Sequence, residues 1–365
     1  MRGLFLIVLL SMSPAWIGSQ KVQKTQQDTP LNIILMIGDG MGISQITAGL
    51  IANGNKLNLE RMRHIGLIKT FSYDNLITDS AAGATAFACG EKTINGAIAV
   101  TPRKKSMPTI LEMAHQQGLA TGVVATSYIQ HATPASFYAH QPNRSMYEDI
   151  TKDFLNETVD IAIGGGRRFF EDRRDKTSLL DTLATRGYEV FRGIKKAQKN
   201  AVSNKVFVIC AREHMAAMKM GRGNFLSTST DFAMERLGQN EKGFFLMVEG
   251  SQIDWGGHAN DKSYIVDEVI DFDKAVGRAL DFAEAQGNTL VIVTADHETG
   301  GFAVEGGSFI RQEVIGDFTT GSHTADLIPV FAYGPGAENF MGIYDNTEIF
   351  SKMVAQYGFS LPNGD

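Results

Sequence analysis

Only two cysteines, Cys89 and Cys210, occur among 365 residues, so at most one disulfide could form and folding cannot rest on a disulfide framework. Cys89 sits in the small-residue run from Ala84 to Gly90 and Cys210 ends the apolar run Val206–Ile209, contexts that suit buried thiols. Basic charge is not in excess. The balance of 34 Lys+Arg against 40 Asp+Glu leaves a formal net charge of -6, which gives no support for nucleic-acid binding, since that favours a basic face. No stretch reaches the ~20 apolar residues that a membrane-spanning helix needs, so no membrane span is expected. There is no internal repeat and no low-complexity tract.

What is present is ordinary globular composition, 43% hydrophobic and 20% charged, in a chain long enough for one large α/β domain or two small ones. The first residues carry a positive start at Arg2, a compact apolar core from Leu4 to Leu10, and small residues at Ser13, Ala15, Gly18 and Ser19. That pattern fits a cleavable signal peptide over residues 1–19, against the plainer reading of a disordered or buried N-terminus. A polar lead-in follows at 20–30. A periplasmic or secreted protein is the expectation.

From residue 31 to 365 we expect one catalytic domain. Apolar runs alternate with helical periods. The runs are Asn32–Ile37, Gly122–Ala125, Val159–Ile163, Gly243–Val248, Thr289–Thr294 and Ile328–Tyr333. Nearly continuous hydrophobicity marks strands buried on both faces. Helical periods lie at Thr109–Gln117, Thr228–Leu237, Ser263–Ala285 and Asn346–Tyr357. The fold class is therefore α/β, a doubly wound and mostly parallel sheet flanked by helices. The charge-rich stretch from Phe169 to Arg222 reads as a small peripheral insertion.

Ligands of such sheets bind outside the carboxyl ends of the strands, so the residues after each run carry the functional argument. The first run leads into Gly38-Asp39-Gly40, a carboxylate in a tight turn. Ser80, in Thr78-Asp79-Ser80-Ala81-Ala82, opens a helical run, either as a cap or as a nucleophile beside anion-favouring backbone N–H groups. No Gly-x-Ser-x-Gly elbow surrounds it, so its activation would call for a metal. His131 and Thr133 follow the Gly122–Ala125 run, two apart, and an extended segment would put both on one face. Arg144 could clamp two phosphate oxygens with its planar fork. Glu249, Asp254 and His258 follow the Gly243–Val248 run, the last two one helical turn apart. Asp296 and His297 follow the Thr289–Thr294 run, and can share a cation only if the strand ends and turns there. His323 precedes the last run. Nitrogen and oxygen donors without thiolates suit Zn²⁺, and all-oxygen sets suit Mg²⁺.

These motifs, in this order, resemble the alkaline phosphatase family from about Asn32 to Tyr333, most like compact bacterial members with a Trp directly after a metal-binding Asp. The resemblance implies two Zn²⁺ and one Mg²⁺. By it Asp254, His258 and His323 would hold the first Zn²⁺, and Asp39, Asp296, His297 and the Ser80 oxygen would surround the second. Asp39, Thr133 and Glu249 would hold Mg²⁺. Ser80 and Arg144 would be catalytic, with Arg144, Trp255 and His131 facing the substrate, a small phosphomonoester. The span from Asp296 to His323 is short, so the surface subdomain of larger members would be reduced, and a homodimer is possible. Two related activities compete. A sulfatase would need a Cys/Ser-x-Pro-x-Arg motif, which is absent at Ser80. A phosphodiesterase would typically use Thr and lack the Arg. A secreted phosphate- or metal-binding protein without catalysis could use the same ligands, but would have no use for Ser80.

Overall fold

The computed structural model describes residues 32–361; the expected signal peptide and polar lead-in lie outside them. The strands, in chain order, are β1 (Asn32–Gly38), β2 (His64–Lys69), β3 (Ala120–Tyr128), β4 (Ile161–Gly165), β5 (Glu189–Phe191), β6 (Val206–Ile209), β7 (Phe244–Gly250), β8 (Thr289–Thr294), β9 (Glu298–Thr299), β10 (Phe302–Ser308), β11 (Glu313–Phe318), β12 (His323–Thr324), β13 (Ile328–Tyr333) and β14 (Gly342–Asp345). Ten of them form one sheet in the order β14-β2-β13-β8-β1-β7-β3-β4-β6-β5.

The continuous apolar runs become the sheet's centre. β1, β7 and β8 are buried at every position. Successive side chains take opposite faces: Phe244 packs on Phe282 of the helix Lys262–Gln286, while Phe245 packs on Phe137 on the other side. Register then levels the strand ends. Gly38 of β1 pairs with Gly250 of β7, Ile37 pairs with Thr294 of β8, and Ala125 of β3 pairs with Glu249. The residues just beyond these positions emerge side by side at one edge.

All pairings in this sheet are parallel except those of β13, which runs antiparallel to β2 and β8. Only residues 325–327 separate β12 from β13, too few for the crossover of a dozen or more residues that a parallel return needs. The chain has just visited the carboxyl edge of the sheet, so it re-enters from that edge. Between His297 and His323 lies a two-stranded ribbon, β10 paired with β11, packed on the helix Ile43–Ala52 through Phe302, Val314, Ala48 and Ile51. It is the short element standing where the sequence implied a reduced subdomain. The stretch from Phe169 to Arg222 lies at the opposite edge, where β6 and β5 extend the same sheet. Cys89 and Cys210 are both free thiols. Burial pushes the Cys210 thiol up to about 12 and Cys89 well above its usual value, so neither is poised as a nucleophile.

Candidate active site

Ser80 is the first residue of the helix Ser80–Cys89, and Asp79 is its N-cap, accepting from the Ala82 N–H at 3.0 Å. Capping is thus done by Asp79, and the Ser80 hydroxyl is left free of that duty. Its Oγ lies 3.3 Å from His297 Nε2. The helix is small-residue and wholly buried, which seats its positive N-terminal end at the base of the cleft. The second Asp79 oxygen accepts from Arg144 at 2.9 Å and from the Gly96 N–H at 3.0 Å. This holds the guanidinium over Ser80's side of a cleft of about 620 Å³, lined also by His131, Trp255, His258 and His323.

Beneath the cleft the strand ends bring donors together. Asp39, in the turn after β1, has Oδ1 3.5 Å from His297 Nε2, and Asp296 Oδ2 is 3.2 Å from the same nitrogen. Asp254 and His258 lie on the helix Gln252–His258, with Asp254 Oδ1 3.3 Å from His258 Nε2 and 3.5 Å from His323 Nε2. Close approach needs Gly40: at φ 73° its Cβ would meet the Asp254 backbone and Thr299 Oγ1, each at 2.7 Å. The imidazoles are oriented from behind. His258 Nδ1 faces Gly321 O at 2.9 Å, His323 Nδ1 faces Thr78 O at 2.8 Å, and His297 Nδ1 faces Thr299 Oγ1 at 3.2 Å. Carbonyls only accept, so the Nδ1 protons are fixed at His258 and His323, and Nε2 turns inward towards Asp254. The two Nε2 atoms then face each other at 3.2 Å, both within 3.5 Å of Asp254 Oδ1.

Among the described residues, three donor groups converge closely enough to hold an ion: Asp254, His297 and His323; Asp39, Asp296 and His297; and Asp39, His131 and Glu249. The third stands apart in chemistry. Glu249 Oε2 accepts from Ser127 at 3.1 Å and Ser251 at 2.5 Å, while among the described residues Oε1 and Thr133 Oγ1 face no further hydrogen-bond partner. Both Asp39 oxygens, Asp296 Oδ2 and His131 Nδ1 are likewise buried without partners. Such atoms cost free energy unless something satisfies them. Electrostatics tells the same story. Burial, then Asp296, Asp254 and Glu249, drives Asp39 well above the usual carboxylate range. Burial raises Glu249 to about 7 and, with Asp254, Asp296 to about 6. Burial also works on Asp254, but His323, His297 and His258 outweigh it and hold this carboxylate low. Burial depresses His297 well below its ordinary value, with His323 adding to it. A buried set of four carboxylates facing imidazole nitrogens fits divalent cations.

All residues singled out from the sequence line this cleft or its floor. One local reading differs. His131 and Thr133 do not share an extended segment, because His131 is the N-cap of a one-turn helix, Ala132–Ala135, that contains Thr133 and accommodates Pro134 in its first turn. His131 also reaches the group of Asp39 and Glu249 as well as the cleft. Sequence reasoning gave no role to Asp79, Ser127, Ser251, Thr299 or His214. Only Asp79 had a signal, an Asp directly before a helical run.

A family model described as alkaline phosphatase matches residues 31–317. Alkaline phosphatase 3 of Bacillus subtilis is 32% identical, covering 95% of this chain and 93% of that protein. Alkaline phosphatase of Escherichia coli is 34% identical, covering 90% and 86%. The solved structure of alkaline phosphatase from the Antarctic bacterium TAB5 has a TM-score of 0.86 at 46% identity, covering 91% of this chain and 99% of that one. A mutant of that enzyme was solved with Mg bound in its M3 site.

Proposed function

Because the chain belongs to the alkaline phosphatase family and is a phosphoric monoester hydrolase, we propose that it works through a phosphoserine at Ser80, with two Zn²⁺ and one Mg²⁺ in its site. The observation that carries this reading is the Ser80 hydroxyl, free of capping duty, 3.3 Å from His297 Nε2 at the rim of the buried donor cluster. Asp254, His258 and His323 would hold one Zn²⁺, and Asp39, Asp296 and His297 the other. Asp39, Thr133 and Glu249 would hold Mg²⁺, within reach of His131; the magnesium in the TAB5 mutant supports a third cation position. When bound, these cations supply positive charge that neutralises the buried carboxylates and lowers the pKa of nearby hydroxyls.

Ser80 gives up its hydroxyl proton to solvent and Oγ attacks phosphorus in line, forming the Oγ–P bond as the ester P–O bond opposite it breaks, and the leaving oxygen takes a proton from solvent to depart as the alcohol. Arg144, braced by Asp79, offers parallel N–H donors to two non-bridging oxygens, whose charge persists through the transition state. A diester carries a second ester group where a monoester has a non-bridging oxygen, and that group would collide with the guanidinium, so Arg144 favours monoesters. Water then attacks the phosphoserine phosphorus from the side the alcohol left, freeing phosphate and restoring Ser80. His131 and Trp255 wall the cleft beside Arg144. The N-terminal pattern of Arg2 and Leu4–Leu10 supports export to the periplasm or medium, and the family resemblance is compatible with a homodimer.

The test is Ser80→Ala. Turnover of a chromogenic aryl phosphate should fall by about 10³-fold or more, with bound metal unchanged by elemental analysis. Acid-quenched wild type should carry phosphate on the peptide containing Ser80 by mass spectrometry. Near-parental turnover in the variant would sink the covalent route.

A further inference from the structure

His214 lies in the connection after β6 and takes no part in the chemistry above, yet it is locked in place from several sides. Its Nδ1 accepts from the Tyr128 N–H at 3.0 Å, so the ring is neutral with its proton on Nε2. The imidazole stacks on the Tyr128 ring, centroids 3.4 Å apart. The residue before it is tied down twice, by the Tyr128 hydroxyl donating to Glu213 at 2.6 Å and by the Gly166 N–H donating to Glu213 O at 3.0 Å. Only glycine fits at position 165, where a Cβ would stand 2.2 Å from Glu213 O. The residue after it, Met215, is held between Thr126 and Gln252. A ring fixed this firmly presents its edge to two residues of the cleft. It meets Trp255 at 4.6 Å and 75°, and His131 at 5.9 Å and 82°, while those two meet each other at 6.3 Å and 81°. Three rings stand mutually edge to face, and two of them line the pocket beside Arg144, with His131 Nε2 3.4 Å from the guanidinium.

We propose that His214 is a positioning residue: its ring wedges Trp255 and His131 upright as walls of the cleft, and so sets how tightly a phosphomonoester or inorganic phosphate is captured. The proposal rests on the phosphomonoesterase reading of the cleft. His214 stands behind His131 and Trp255 rather than beside Ser80, so its loss should weaken capture and leave the chemical step largely alone.

The test uses the full chain carrying Trp16→Phe, which leaves Trp255 as its sole tryptophan. Each edge contact holds an orientation by about 2- to 12-fold, so in His214→Ala the KM for an aryl phosphate and the inhibition constant of inorganic phosphate should rise together by about 5- to 20-fold. The kcat should stay within about twofold, and Trp255 emission should shift to the red. His214→Phe keeps the ring and should return both constants and the emission towards the parent. His214→Asn keeps an acceptor for the Tyr128 N–H without the ring and should behave like alanine. Parental emission and KM in the alanine and asparagine variants would overturn the proposal, as would rescue by asparagine and not by phenylalanine. If the alanine variant does not fold, the phenylalanine and asparagine pair decides. A parent that hydrolyses no phosphomonoester would refute the functional reading instead, while the emission of the variants still judges the wedge.

Discussion

Thr299 Oγ1 has a single proton and two neighbours, Asp254 Oδ1 at 2.5 Å and His297 Nδ1 at 3.2 Å. The proton goes to the carboxylate, so the imidazole must donate from Nδ1, and Nε2 is left bare beside Ser80. One hydroxyl thereby orients ligands of two neighbouring donor groups. Thr299→Val keeps the shape and removes the proton. Cation affinity, read by competition with a chelator, should fall about 10- to 100-fold, and Thr299→Ser should recover most of it. Parental affinity in the valine variant would show that packing alone sets the ring. This role was not legible in the sequence, although Asp296 and His297 just before it were singled out. Asp39, Asp296 and His297 announce themselves by following apolar runs. The value of Thr299 exists only through a partner 45 residues away. His214 was silent for the same reason, since its worth lies in rings supplied by β3 and by the helix Gln252–His258.

Elements were more legible than residues where they carry their own punctuation. The helix Ile110–Gln116 has a complete capping box, Thr109 and Glu112 exchanging hydrogen bonds at 3.1 and 3.0 Å, and the sequence placed it within a residue. The direction of β13 was not legible, because it depends on where the preceding β9–β12 pair leaves the chain. Nor were β2, β5 and β14, which are short or partly exposed and lack the continuous apolar signal. The capping box also has an unannounced partner. Its Glu112 Oε1 meets His140 Nε2 at 2.8 Å, while His140 Nδ1 meets Ala99 O at 2.9 Å. Both ring nitrogens face acceptors, so only the doubly protonated imidazolium satisfies them. Burial opposes that charge, but Glu112 prevails and raises the pKa of His140. A raised folded value means that the folded state holds the proton more tightly. The stability it contributes is whole below about pH 6.5, the ordinary histidine value, and is lost as pH rises through the raised one. His140→Gln should therefore cost about 1.5–3 kcal/mol in mildly acidic buffer, the range for hydrogen bonds to charged groups. The gap to wild type should narrow as the solution becomes alkaline, read by thermal unfolding in matched buffers. A gap constant with pH would mean that His140 acts by shape.

At the scale of the whole molecule, the sheet is a device for levelling strand ends, and the levelled ends repel one another. Asp39, Glu249, Asp254 and Asp296 come from the ends of β1, β7 and β8 and the helix after β7, and all are buried. Nothing in the hydrophobic core needs them close; the core is complete along the strands behind them. Cations would turn this repulsion into a tie joining β1, β7, β8, the turn before the helix Ser80–Cys89 and the β9–β12 pair. Chelation should then do two separable things. Global stability should drop by about 4 kcal/mol for each site held at a thousandfold excess over its dissociation constant, lowering the unfolding midpoint. Hydrogen exchange should quicken at residues 38–42, 249–258, 295–299 and 320–324, while the interiors of β1, β7 and β8 stay protected, because their ladders and apolar contacts do not involve the cluster. Returning Zn²⁺ should reverse both effects together with turnover. Uniform exchange across sheet and loops after chelation would mean that the cluster supports the entire fold. No change at those four segments would mean that the strand ends are held by the polypeptide alone, and that the donor cluster binds no structural cation.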